Sequence, residues 1–290
     1  MRGGMSKHRA MEIFTSVALA LLTLVACASS EPSPQTPAVV AAAAPATSAS
    51  VPAAASPAPS SVTVSPAVAS AVAAPDRNPE DRALDGGRKP DQMLSFFGIA
   101  PGMRVAEIGS GMGYTAELLA RVVGPSGKVY GQNIKLFLER FAEGPWSERL
   151  KKPVMANVVR ADRELEDPFP PEAKDLDAVL CVLIYHDTVW LGTDRDKMNK
   201  AIFDALKRGG EYVIVDHSAS PGHGTADVKT LHRISELSVI HEVERAGFHH
   251  VSSADFLRNP ADERDWSASP PDAGERRGTS DRFVLKFVKP

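Results

Sequence analysis

The stretch Glu107-Ile-Gly109-Ser-Gly111-Met-Gly113 decides how the rest of the chain is read. Before it, Met103-Arg-Val-Ala-Glu-Ile108 reads as a buried strand. After it, residues 114–123 place Ala116, Leu118, Leu119, Val122 and Val123 on one broad helical face. Glycines between a strand and a helix permit a sharp turn and let the backbone approach a ligand where a Cβ would collide. The spacing is GxGxG rather than the GxGxxG of dinucleotide-binding loops, which leaves nicotinamide chemistry as a minor alternative. The same glycines also satisfy a plain tight turn with no ligand.

Outward from this loop the alternation of strand and helix continues. A short helix is expected over 90–99, closed by Gly98 and the Pro101-Gly102 turn, and further strands over 128–132, 154–160, 176–184 and 211–217. A helix over 197–208 stops at Gly209-Gly210, and one long helix is expected from about 229 to 246, capped by Gly247. Two late strands, 249–253 and 282–289, can form an antiparallel edge. Such repetition implies an α/β domain: a mainly parallel sheet with helices on both faces.

The N-terminal quarter differs in composition. Between residues 28 and 75 only Glu31 and Gln35 fall outside Ala, Pro, Ser, Thr and Val, so a disordered tether is expected over 27–75 and one folded domain over 76–290. Upstream, Arg2, Lys7, His8 and Arg9 precede an apolar run from Ile13 to Ala26, the pattern of a secretory signal. Leu24-Val25-Ala26-Cys27 resembles a bacterial lipobox, which implies a signal peptide over 1–26, lipidation of Cys27 and a membrane-anchored, periplasm-facing lipoprotein. Ala28-Ser29, with no Asp after the cysteine, favours the outer membrane. An ordinary signal peptide or an uncleaved anchor is the alternative. Met5 or Met11 could be the true start.

The chain carries a formal net charge of −3 and two cysteines. The first 75 residues hold three basic and two acidic side chains, which leaves −4 on the remainder. A mildly acidic domain offers no general attraction for phosphate backbones, so nucleic acid is not an expected partner. A single thiol beyond Cys27, Cys181 in an apolar strand, rules out a disulfide scaffold or a multi-cysteine metal site.

The pattern E/DxGxGxG resembles motif I of class I S-adenosylmethionine-dependent methyltransferases. Pro101-Gly-Met-Arg-Val-Ala-Glu resembles the lead-in to that motif, Lys207-Arg-Gly-Gly210 its L(K/R)PGG turn, and Glu244-Arg-Ala-Gly-Phe248 its late EAGF turn. Arg88-Lys-Pro-Asp-Gln-Met-Leu-Ser-Phe-Phe with Lys128-Val-Tyr-Gly-Gln-Asn is similar to exported bacterial proteins described as predicted methyltransferases. The resemblance implies a seven-stranded Rossmann-like fold, S-adenosylmethionine as cofactor, and a cradle made of Glu107, Gly109, Ser110, Gly111, Gly113 and Tyr114. It places Asn133 where the family's acidic residue meets the ribose hydroxyls, and Asp162 at the adenine contact. An amide lacks the bidentate geometry of a carboxylate.

Ligands in such sheets bind beyond the carboxyl ends of the strands, which draws attention to Tyr185-His186-Asp187 and Asp216-His217-Ser218. Tyr185, His186 and His217 are the candidate catalytic residues, the histidines as bases, with structural roles equally open. Asp187, Asp216, His217, His223 and His232 could converge on a metal, but no compact ligand motif links them, and no metal is assigned. The charged segment 260–277 reads as a solvated loop, or else a cover for the substrate mouth. The expected activity is methyl transfer to a small-molecule or lipid-like acceptor. Because S-adenosylmethionine is made in the cytoplasm, a non-catalytic binding lipoprotein on the same fold is the second reading.

Overall fold

The computed structural model describes residues 62–290. The basic start, the apolar run, Cys27 and most of the Ala/Pro/Ser segment lie outside the described residues. No helix among the described residues is long and apolar enough to cross a membrane.

Seven strands form one sheet: β1 Arg104–Ile108, β2 Lys128–Asn133, β3 Val158–Asp162, β4 Leu176–Val182, β5 Leu206–His217, β6 His249–Ala254 and β7 Arg282–Val288. Their order is β3-β2-β1-β4-β5-β7-β6, with β1 to β5 parallel and β7 antiparallel to both β5 and β6. The expected antiparallel edge is therefore present. Side chains alternate between two buried layers. Ala106, Ile108, Val179, Cys181, Tyr212 and Ile214 belong to one, and Val105, Val129, Ala178, Leu180, Val213 and Val215 to the other. Burial on both faces explains the apolar runs over 178–182 and 212–215 at the centre of the sheet. The order reverses between β1 and β4, and crevices at such switch points are where open α/β sheets bind ligands.

Two expectations are corrected. The tether does not extend to residue 75: Pro66–Ala73 is a helix, with Ser65 capping it by accepting a bond from the Val68 amide. Val68 and Ala71 are buried against Met93, Leu94 and the Tyr114–Val123 helix. An Ala/Val sequence has no hydrophobic contrast of its own, but alanine is the best helix former and a Val/Ala stripe is enough to dock on an existing core.

The single helix expected from about 229 to 246 is two helices, Val228–Leu231 and Glu236–Arg245. Between them His232 takes a left-handed conformation (φ +52°), and Ile234 forms an isolated parallel bridge to Ser218, donating to the His217 carbonyl and accepting from the Ala219 amide. Two interactions favour the break over continuation. Arg233 is fully buried in an ion pair with Asp262 at 2.8 Å, and Ser235 caps the second helix.

Candidate active site

Glu107 is buried near the end of β1, and after Ile108 the glycine loop turns over the sheet edge with all three glycines at positive φ: Gly109 at +64°, Gly111 at +55° and Gly113 at +88°. Only glycine adopts that sequence of conformations without strain. The three positions have different surroundings. A Cβ on Gly109 would lie 2.7 Å from Ile184, and one on Gly113 would lie 2.5 Å from Trp146, whereas one on Gly111 would meet nothing within 4 Å. Gly109 and Gly113 are therefore required by packing. Gly111 is the place where the backbone stands open.

The end of β2 holds this loop. Gln132 accepts the Gly109 amide through Oε1 at 2.9 Å, and its backbone carbonyl accepts the Ser110 amide at 2.8 Å. Asn133 accepts from the Gly111 amide at 2.8 Å and donates to the Gly111 carbonyl at 3.0 Å. Both ends of that amide are occupied by the loop, so Asn133 does not stand free in the way a ribose contact requires. Arg149 donates to the Met112 carbonyl at 2.6 Å and also pairs with Asp81 and Glu117.

Several polar groups near the loop are left without partners. Glu107 Oε2 and Ser110 Oγ are buried with no hydrogen bond. Burial is the main influence on Glu107 and pushes its carboxyl up to about 7. On the same side Arg88 lies over the Tyr114 ring, 4.3 Å from its centre, and makes no hydrogen bond among the described residues. With Arg282, Thr115 and Leu183 it lines a small hollow of about 10 Å³. Arg282 is drawn down to about 10, by burial first and then by the neighbouring Arg88 charge. Neither arginine figured among the sequence candidates. The only sequence signal was the place of Arg88 in the Arg88-Lys-Pro-Asp run.

The remaining candidates are more dispersed. Tyr114 begins the helix after the loop and donates to Asp85 at 2.7 Å. Asp162 is exposed at the end of β3 and accepts both bonds from Arg160 Nε at 2.8 Å. Tyr185 is a correction: it is fully buried, donates to Glu242 at 2.9 Å, accepts from Asn199, and faces the helix Glu236–Arg245 rather than an open site. A tyrosine held in this way has no surface on which to meet an acceptor. Cys181 is a core residue, as expected.

The two histidines do come together. His186 Nδ1 lies 2.7 Å from Asp216 Oδ1, and its backbone amide donates to the other oxygen at 2.8 Å. Burial disfavours its imidazolium, but the Asp216 and Asp187 carboxylates outweigh burial and push it up to about 10. His217 Nδ1 lies 2.7 Å from Ser280 Oγ, and its ring centre is 5.6 Å from that of His186. Burial, then the nearby His186 charge, holds His217 well below the usual histidine range. His232 completes the group, its ring centre 5.4 Å from His186. His223 is exposed and pairs with Asp227 instead.

The segment 260–277 is pinned by Asp262 to Arg233 and by Arg264 to Asp281. Its first part lines a hollow of about 820 Å³ beyond β5, together with Ser218, Glu236 and Arg258.

Residues 90–156 match the family Protein-L-isoaspartate(D-aspartate) O-methyltransferase, a span that runs from the Pro90–Phe96 helix through the glycine loop to the end of β2 and beyond. Among solved structures, a SAM-dependent methyltransferase from Aquifex aeolicus aligns over 73% of this chain and 94% of its own, with 19% identity and a TM-score of 0.51. An arsenic(III) S-adenosylmethionine methyltransferase from Chlamydomonas reinhardtii aligns over 77% of this chain and 73% of its own, with 17% identity and a TM-score of 0.48. With its seven-stranded, mainly parallel sheet and this likeness, the described domain has the class I S-adenosylmethionine-dependent methyltransferase fold.

Proposed function

We propose that this domain binds S-adenosylmethionine at the glycine loop and transfers its methyl group to a small-molecule or lipid-like acceptor, working as a lipoprotein tethered through Cys27 in the periplasm, on the outer membrane. The observation that carries the reading is a set of unsatisfied groups at and near the glycine loop: an acidic oxygen on Glu107, the Ser110 hydroxyl and the Arg88 guanidinium, which has no hydrogen bond among the described residues. A methionine moiety has one ammonium and one carboxylate, and these residues offer one partner for each. The bound sulfonium supplies an activated methyl group. The protein has only to align the acceptor and, where needed, take a proton. The hollow beside Arg88, about 10 Å³, is smaller than the ligand, so the reading requires it to widen on binding.

A second reading, a non-catalytic binding lipoprotein on the same fold, is favoured by Asn133 being bonded to Gly111 and by Ile184 covering Gly109. Titration calorimetry of the full-length protein in detergent, with S-adenosylmethionine and with S-adenosylhomocysteine, separates the two. Saturable binding that Arg88→Ala weakens supports the first, and no heat at millimolar ligand overturns it.

A further inference from the structure

We infer that His186, Asp187 and His232 form a binding site for a divalent transition-metal ion of the zinc class. One donor atom from each lies within 4.8 Å of the other two, with His186 Nε2 and Asp187 Oδ1 3.2 Å apart. Donors on a tetrahedral ion lie roughly 3.3–3.6 Å from one another, so the three need draw in by only about 1 Å at their widest.

The surroundings match a metal ligand better than a structural histidine. Asp216 occupies His186 Nδ1 and is itself fixed by the backbone amides of His186 and His217, at 2.8 and 2.7 Å. This carboxylate–histidine pair turns Nε2 toward Asp187 and settles the ring's orientation, the arrangement commonly found behind histidine metal ligands. Asp187 is steadied in turn by the Trp190 indole, which donates to Oδ1 at 2.6 Å. His232 Nδ1 is buried with no partner, although the ring is brought here by a left-handed backbone that a histidine adopts at some cost. A buried imidazole nitrogen without a hydrogen-bond partner, in a residue grouped with His186 and Asp187, is what packing alone leaves unexplained.

Two imidazoles and one carboxylate suit zinc, cobalt or iron(II) better than magnesium or calcium, which prefer all-oxygen sets. Three protein ligands leave a coordination position open. That position could hold an acceptor oxygen or thiol as its conjugate base. This use rests on the methyl-transfer reading, but the binding of the ion does not.

The test uses untagged full-length protein, stripped with a chelator and titrated with Co²⁺ in the absence of any nucleoside, following visible d–d absorption. One equivalent should saturate the signal, Zn²⁺ should displace it, and excess Mg²⁺ should not. His232→Gly suits the positive φ and should fold as the parent does by circular dichroism, while weakening Co²⁺ by at least about tenfold. His223→Ala should bind as the parent does. Absence of d–d bands, or a folded His232→Gly variant with parental affinity, overturns the site.

Discussion

Asn133 closes a two-point hydrogen bond on Gly111, accepting from its amide at 2.8 Å and donating to its carbonyl at 3.0 Å. An aspartate here would retain the first bond, but it would set an oxygen against the carbonyl where a donor now lies. Asn133→Asp should therefore destabilise the domain by about 1–3 kcal/mol, read as a lower urea midpoint at unchanged m-value. A variant as stable as the parent would mean that the loop does not depend on this bond.

Gly109 and Gly111 share a left-handed backbone but differ in what faces them. Alanine at either costs about 1–2 kcal/mol for the conformation. At Gly109 the new methyl also meets Ile184, which adds about 1–3 kcal/mol of overpacking. Gly109→Ala should thus be the more damaging, and that excess should disappear in an Ile184→Ala background. A double-mutant cycle by denaturation measures the coupling. Gly111→Ala should leave the fold close to intact and impair ligand binding.

Glu107 makes stability depend on pH. Its folded carboxyl is raised to about 7 by burial from an ordinary 4.5, so the folded state holds the proton more tightly. Stability from this group is complete below about pH 4.5 and is lost as pH rises through 7, by about 2–3 kcal/mol between pH 5 and pH 8. The groups around it, Ser110, Thr115 and Arg88, do not change charge in that window. Glu107→Gln should flatten this component and be the more stable protein at pH 8. Equal pH profiles for parent and variant in chemical denaturation would refute the assignment.

Glu117 is buried between Arg121 at 2.6 Å, Arg149 at 2.6 Å and Lys152 at 2.8 Å. These cations hold its carboxyl below the usual range in spite of burial. Removing the charge leaves Arg149 short of a partner where it also supports the Met112 carbonyl. Glu117→Gln should cost about 3–5 kcal/mol and loosen the glycine loop. Denaturation, together with amide exchange at Met112 and Gly113, checks both effects.

The sequence by itself determined the α/β class, the strand–loop–helix at 104–123 and the antiparallel edge, because strands buried on both faces, glycine turns and helix periodicity are local patterns. It also pointed to the residues after β4 and β5. Only the tertiary structure decided what those residues do. Tyr185 and His186 are neighbours in the chain, yet one bonds to Glu242 and Asn199 within the core and the other to Asp216 across 30 positions. The break at His232 was hidden by a helical pattern continuous across it. Burial of Arg233 on Asp262 and the pairing of Ile234 beside His217 outweigh that local preference, and both depend on segments distant in sequence. The folding of Pro66–Ala73 has the same origin, since its short apolar stripe has value only against a core that the rest of the chain provides.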